Sequence, residues 1–198
     1  GAELANYSIT KMRVSALALQ VADNAARMGE GNLLQSKKIS EAQINDLLQG
    51  ALAQGGSLNI NGLSSELQAN KTRVSNPKAR IVISSLEPDP AHAGKNYIHW
   101  QRCYGQATTY TPQYGVAGDD NLDGMGPAGR QIYAPPGTAM IVVEVHYRYE
   151  PIFPVVRPET FGIMGYRDMN EVAAMVVRDD RDLSTIYNNE GVTASTCT

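Results

Sequence analysis

The hydrophobic period of this chain changes once, and the change limits its fold. Over residues 3–28 apolar side chains recur every three or four positions, at Leu4, Tyr7, Val14, Leu17, Ala18, Val21, Ala25 and Met28, with Lys11 the one polar break in the stripe. That spacing predicts one amphipathic helix, about 40 Å long at 1.5 Å per residue and stopped by Gly29 and Gly31. A second helix is predicted from Ser40, with Gln43 as its capping-box partner, Ile44, Leu47, Leu48, Ala51 and Leu52 on one face, and Gly55-Gly56 as its end. From there the period is two, in short runs separated by turn residues. Residues 78–86 put Ile81 and Ile83 on one face and Val82 on the other, and Glu87-Pro88-Asp89-Pro90 ends the run. Residues 96–104 put Ile98 and Trp100 on one side and Tyr97, His99 and Cys103 on the other. Residues 139–149 align Ile141, Val143, Val145, Tyr147 and Tyr149 against Glu144, His146 and Arg148, so this strand is expected to have one face in the core and a polar face in solvent or in cross-strand ion pairs. Pro151, Pro154 and Pro158 oppose further pairing, and residues 171–178 fit a strand or a helix about equally. Helices first and strands afterwards predict an α+β fold, an antiparallel sheet with a long N-terminal helix and a second helix packed on one face.

The 198 residues suit one domain, and 42% apolar and 19% charged residues with a mean hydropathy of -0.29 describe a globular protein. Seventeen basic and twenty acidic residues leave a charge of -3, with no basic run and no interleaved aromatic set, which argues against a nucleic-acid partner. No stretch approaches eighteen consecutive apolar residues. Because the helical pattern is already under way at the first residues, a membrane segment is expected to precede them. Cys103 and Cys197 lie far apart and outside any metal-type spacing. They fit one disulfide in a secreted chain and two free thiols in a cytoplasmic one. A cysteine one residue from the C-terminus has little packing use, which favours the disulfide.

Two motifs bear on ligands. Gly124, Gly126 and Gly129 match the GxGxxG dinucleotide fingerprint, but an acidic stretch precedes them and Pro127, Pro135 and Pro136 occupy the place of the helix, so the match reads as a Gly-rich turn. Asp119, Asn121 and Asp123 followed by Gly124 copy the first half of a calcium loop. Arg130 stands where the bidentate Glu belongs, leaving an incomplete calcium site or a solvated turn. Calcium is thus the one candidate cofactor. None of the three histidines, His92, His99 and His146, sits in a recognisable catalytic frame, and there is no GxSxG, HExxH or P-loop. Trp100, Tyr97 and Tyr104 near Cys103, and Tyr147, Tyr149 and Phe153, suit sheet packing or an exposed patch for a partner. The loop over 105–118, rich in Gly, Tyr and Thr, is long enough to be functional or mobile.

Three stretches in order resemble the TadE/TadG-like minor pilin (pseudopilin) family of the tight-adherence (Tad, type IVc) pilus system. They are the helix ending in Asp23-Asn24-Ala25-Ala26-Arg27, then Trp100-Gln101-Arg102-Cys103-Tyr104, then Gly124-Met125-Gly126-Pro127 leading into MIVVEVHYRYEP over 140–151, with Cys197 near the end. The resemblance touches most of the chain. It implies a non-enzymatic, pilin-like domain over 1–198, with residues 3–28 continuing an N-terminal membrane helix. It further implies anchoring in the inner membrane with the domain in the periplasm, or an extracellular place in the pilus, with other pilin or pseudopilin subunits and the assembly machinery as partners and a role in adhesion. No prepilin peptidase processing site is visible within these residues. The alternative expectation is an extracellular adhesin domain binding calcium or carbohydrate through the acidic and aromatic loop.

Overall fold

Burial of one face of a long helix on an alternating sheet organises the molecule. The computed structural model describes residues 1–31, 35–68, 70–153, 166–178 and 180–197; Pro154 and Pro158 lie outside them. The elements are α1 (Ala2–Arg27), α2 (Glu41–Gly55), a short 3-10 turn (Gly56–Leu58), β1 (Leu63–Leu67), β2 (Arg73–Pro77), β3 (Ala79–Pro88), β4 (Asn96–Tyr104), β5 (Met140–Tyr149) and β6 (Arg167–Val176). Four strands form an antiparallel sheet in the order β4-β3-β5-β6, and β1 and β2 form a separate hairpin. The fold is α+β, as the change of period predicts. Among the described residues no helix is long and apolar enough to cross a membrane.

α1 packs on β5 and β6 and against α2. Val14, Leu17, Ala18, Val21, Ala22, Ala25 and Ala26 are buried against Ile81, Ile83, Ile141, Val143 and Val145. Each fully buried Val, Leu or Ile contributes about 1.5–3 kcal/mol, and the alanines admit close approach of helix and sheet. Lys11 is exposed and Leu4 is 52% exposed, so the buried stripe starts at Glu3 and Tyr7 rather than at Leu4. Glu3 is buried because Tyr149 donates its hydroxyl to the carboxylate and the N–H groups of Ile152 and Phe153 donate to it at 3.0 and 3.3 Å. At the other end Arg181 donates to the carbonyls of Ala25, Ala26 and Met28 at 2.9, 3.1 and 2.6 Å. Of these carbonyls Ala25 also accepts from the Met28 N–H at 3.4 Å, and a cation suits the negative end of the helix dipole. α2 begins with the predicted capping box of Ser40 and Gln43.

Of residues 171–178, those up to Val176 are strand rather than helix, and the strand starts earlier, at Arg167. Met169, Ala173 and Met175 pack toward α1, while Val172 and Ala174 pack on the opposite face, the alternation that a two-sided strand needs. The hairpin β1–β2 was not legible in the sequence. Its docking is polar: Arg148 holds Glu66 through two bonds of 2.7 and 2.9 Å, and Tyr166 accepts from Leu67 N–H and donates to the Ser65 carbonyl. The Glu66 carboxyl lies below its ordinary range chiefly through this bond from Arg148.

The C-terminal segment closes the fold. Residues 180–187 pair with 37–41 through Lys37 N–H to Asp180, Asp182 N–H to Lys37, Tyr187 N–H to Ile39 and Glu41 N–H to Tyr187. The segment then crosses α2, where Asn45 donates to Thr193 and Ser195 donates to Asn45. It reaches the outer edge of β4, where Cys103 N–H donates to Ser195 and Cys103 is bonded to Cys197 across a separation of 94 residues. Loss of that link through Cys197→Ser should lower stability by about 4–5 kcal/mol on the chain-entropy model. Thermal unfolding with and without reductant checks this; equal melting of variant and parent would refute the tether. Asp182 is held down at about 2, first by the Ser184 hydroxyl, then by Tyr187 and the Ser184 N–H. Its contribution is therefore full above the unfolded carboxylate value of about 4 and lost as pH falls through about 2. The melting-temperature gap between parent and Asp182→Asn should narrow over that window.

Candidate functional site

The sheet has two covered faces, which corrects the expectation of a wet polar face on β5. Tyr114, Leu122, Met125, Ile132 and Ala134 of the 105–138 segment pack over Leu86, Ile98 and Val142. Glu144 and His146 are each 1% exposed. Their alternation with valines is indistinguishable in sequence from a solvated face, because the residues that cover them follow no period. Glu144 accepts from the Gln113 N–H at 2.9 Å. His146 bonds Asn170 Oδ1 at 2.8 Å and stacks on Tyr110 with ring centroids 5.3 Å apart. Arg80, opposite His146 in the β3–β5 register, donates to the Gly105 carbonyl at 2.9 Å. Arg80 Nε, Glu144 Oε1 and His146 Nε2 have no hydrogen-bond partner among the described residues. The expected cross-strand ion pair occurs one step along, where Arg148 bonds Asp168 at 2.9 Å in the β5–β6 register. Burial, then Asp168, push the Tyr110 hydroxyl up.

At the end of the sheet, the β3–β4 turn meets residues 116–123. Ile98 N–H donates to Asp119, Gly118 N–H to Ile98, and Asn96 and Leu122 exchange N–H···O bonds of 2.9 Å, so this stretch covers the β4 edge. The candidate calcium-loop residues have separate partners. Asp119 accepts from the Val116 N–H at 2.8 Å, Asp123 pairs with Lys95, and Asn121 sits at φ 52 with its N–H donating to Asp89. A different group converges: Asp89, His92 and Asp120 each offer a ligand atom, all within 4.8 Å of one another. The Asp89 side chain is 2% exposed and accepts from Ala91 N–H, Asn121 N–H and His92 Nδ1, each at 2.8 Å. Its carboxyl is held down at about 2, led by the Asn121 N–H, with burial opposing and His92 and the Ala91 N–H adding to the lowering. Beside it lies a cavity of about 360 Å³ lined in part by Asp89, Lys95, Asn96, Asp123 and Tyr133.

The third feature is the outer face of α1. Ala2, Ala5, Ile9, Met12, Ala16 and Leu19 follow alternating steps of three and four residues and are all exposed, Met12 by 64%, Leu19 by 49% and Ile9 by 41%. This apolar stripe lies on the side of the helix opposite Val14 and Val21, and its spacing is that of a helix–helix seam. It escaped the sequence reading because the stripe beginning at Leu4 and Tyr7 already accounted for an amphipathic helix.

The remaining predicted features disperse. His99 bonds Glu87 at 3.0 Å beside Tyr97, whose hydroxyl is pushed up to about 12 by burial and then by Glu87. Trp100, Tyr147 and Tyr149 are core residues, and of the two aromatic groups only Phe153, 59% exposed beside Ile152, stands out in solvent. Gly124, Gly126 and Gly129 have φ of 148, 110 and 78 in a turn closed by the Met125–Ile132 bridge. No family model, curated protein or solved structure matches the chain.

Glu144→Ala should strand the Gln113 N–H and cost about 1–3 kcal/mol, whereas Glu144→Gln, which keeps an acceptor, should cost much less. Urea unfolding measures the difference, and faster hydrogen exchange at Gln113 in the alanine variant alone locates it.

Proposed function

We propose that this chain is a non-enzymatic minor pilin or pseudopilin-like subunit that acts in the assembly of adhesive Tad-type pili through the outer face of α1. The observation that carries the reading is the second apolar stripe of Ala2, Ala5, Ile9, Met12, Ala16 and Leu19. A helix that only covers its own sheet needs one apolar face. A second one at heptad-like spacing suits packing against a neighbouring helix, with the small alanines allowing close approach. In this reading the neighbours are other pilin or pseudopilin subunits, and residues preceding α1 continue it into the inner membrane. The disulfide between Cys103 and Cys197 supports a periplasmic or extracellular place, where such bonds persist. The helix-on-sheet layout agrees with a pilin-like fold, a layout that unrelated proteins also use.

A second reading, an extracellular adhesin domain that binds calcium or carbohydrate, is favoured by the cavity lined by Asp89, Asn96, Asp123 and Tyr133. Its acidic, amide and aromatic groups are of the kind that hold a sugar. A glycan array or a saccharide-dependent rise in melting temperature would separate it from the first.

The double variant Met12→Glu/Leu19→Glu places charge on the exposed stripe without touching the core. It should keep the parent melting temperature and circular dichroism and abolish piliation when it replaces the parent gene in its own cell. Normal pili in that strain would remove the α1 reading.

A further inference from the structure

We propose that Asp89, His92 and Asp120 bind a divalent first-row transition metal ion, forming a clip that joins the β3–β4 turn to the 116–123 stretch. Three side chains from two separate segments place their ligand atoms within 4.8 Å of one another. The donor set decides the class of ion. Calcium and magnesium take oxygen ligands, whereas an imidazole beside two carboxylates suits the series from manganese to zinc.

An ion here would take the place of the hydrogen bond between His92 and Asp89. Asp89 is the buried, pre-positioned ligand: its side chain is 2% exposed, and the Ala91 and Asn121 N–H groups orient both carboxylate oxygens. His92 Nδ1 lies 2.8 Å from Asp89 Oδ2. Two donors at that separation, each about 2.1 Å from a metal, subtend roughly a right angle, the arrangement of neighbouring ligands around an octahedral ion. His92 and Asp120 face solvent, with 43% of the His92 side chain exposed, so the ion has an entry path and solvent can fill its remaining positions. Charge points the same way. Among the described residues no lysine or arginine pairs with Asp89 or Asp120, and the nearby Lys95 is paired with Asp123. Two carboxylates therefore converge beside a single imidazole, and a divalent ion would supply the positive charge that no lysine or arginine brings to them.

The site is distinct from the calcium-loop residues Asp119, Asn121 and Asp123, although Asp120 lies within their stretch. It is also independent of assembly through α1. An ion here would fasten the segment that covers the β4 edge and borders the Tyr133-lined cavity, fixing the shape of the face opposite α1.

The test is a titration of the 198-residue chain, stripped with chelator, with manganese, zinc and calcium chlorides at neutral pH. It is followed by calorimetry and by melting temperature, in the parent and in His92→Ala, Asp120→Asn and Asp119→Asn. Asp89 is left unchanged because its carboxylate also holds the turn. The expected result is saturable manganese or zinc binding in the micromolar range that raises the melting temperature, weakens by about tenfold or more in His92→Ala and in Asp120→Asn, and is unchanged in Asp119→Asn. Manganese should also broaden the amide resonances of His92 and Asn121 before others in the chain. No saturable binding below about 1 mM overturns the proposal, as does manganese or zinc binding that survives both His92→Ala and Asp120→Asn. Calcium binding that depends on Asp119 and not on His92 would assign the loop to calcium and overturn it as well.

Discussion

The contact between α1 and the β5–β6 half of the sheet is the constraint on which the rest depends. Ala18, Ala22, Ala25 and Ala26 bring the helix axis close, and Val14, Leu17 and Val21 fill the space that the sheet leaves. Burial of this face has two further consequences. Glu3 must leave water at the N-terminal end, and it can do so because Tyr149, Ile152 and Phe153 satisfy its oxygens. The carbonyls at the C-terminal end must find donors, and Arg181 brings the C-terminal segment back to supply them. A charged group left unpaired in such a place costs several kcal/mol, so the ends of α1 bind distant parts of the chain to one another.

The C-terminal segment carries that dependence to the far edge of the sheet. It pairs with residues 37–41, passes over α2 and ends at β4, where Cys197 is bonded to Cys103. The β4 edge, open to pairing with another chain if left bare, is therefore covered by this tail and by residues 118–122. The other face of the sheet is closed by the 105–138 segment, which packs a few apolar side chains on Leu86, Ile98 and Val142 and takes its remaining order from Arg80, Glu144 and His146. Buried polar groups of this kind fix where a segment lies more strictly than apolar contacts do, because each needs its own partner. The molecule thus presents two chemically different surfaces: an apolar helical stripe on one side and an acidic, aromatic loop face on the other.

The parts legible in the sequence are those with a period or a local signature. The two helices, the capping box at Ser40 and Gln43, strands β3 to β5 and the α+β order all follow from spacing between neighbours. β1 and β2 were missed because their short runs are polar and dock through Glu66 and Arg148 rather than through apolar alternation. β6 was ambiguous because EVAAMVVR suits either period, and only the partner strand β5 decides between them. Pairing of the two cysteines was favoured over free thiols, and the structure joins Cys103 to Cys197.

Sequence alone therefore determined the two helices, strands β3 to β5 and the alternation of their inward apolar residues, since these depend on contacts within a turn or a strand. Tertiary structure decided which polar residues are buried, which face of α1 stays open, and which carboxylates meet. Glu144 and His146 look solvated until a loop with no period covers them. Asp119 and Asp123 each take a partner of their own, the Val116 N–H and Lys95, while Asp89 and His92 come together with Asp120 from a separate segment of the chain. Through-space proximity of this kind leaves no spacing signal, because it is set by how two loops pack at one end of a sheet rather than by the geometry of either one.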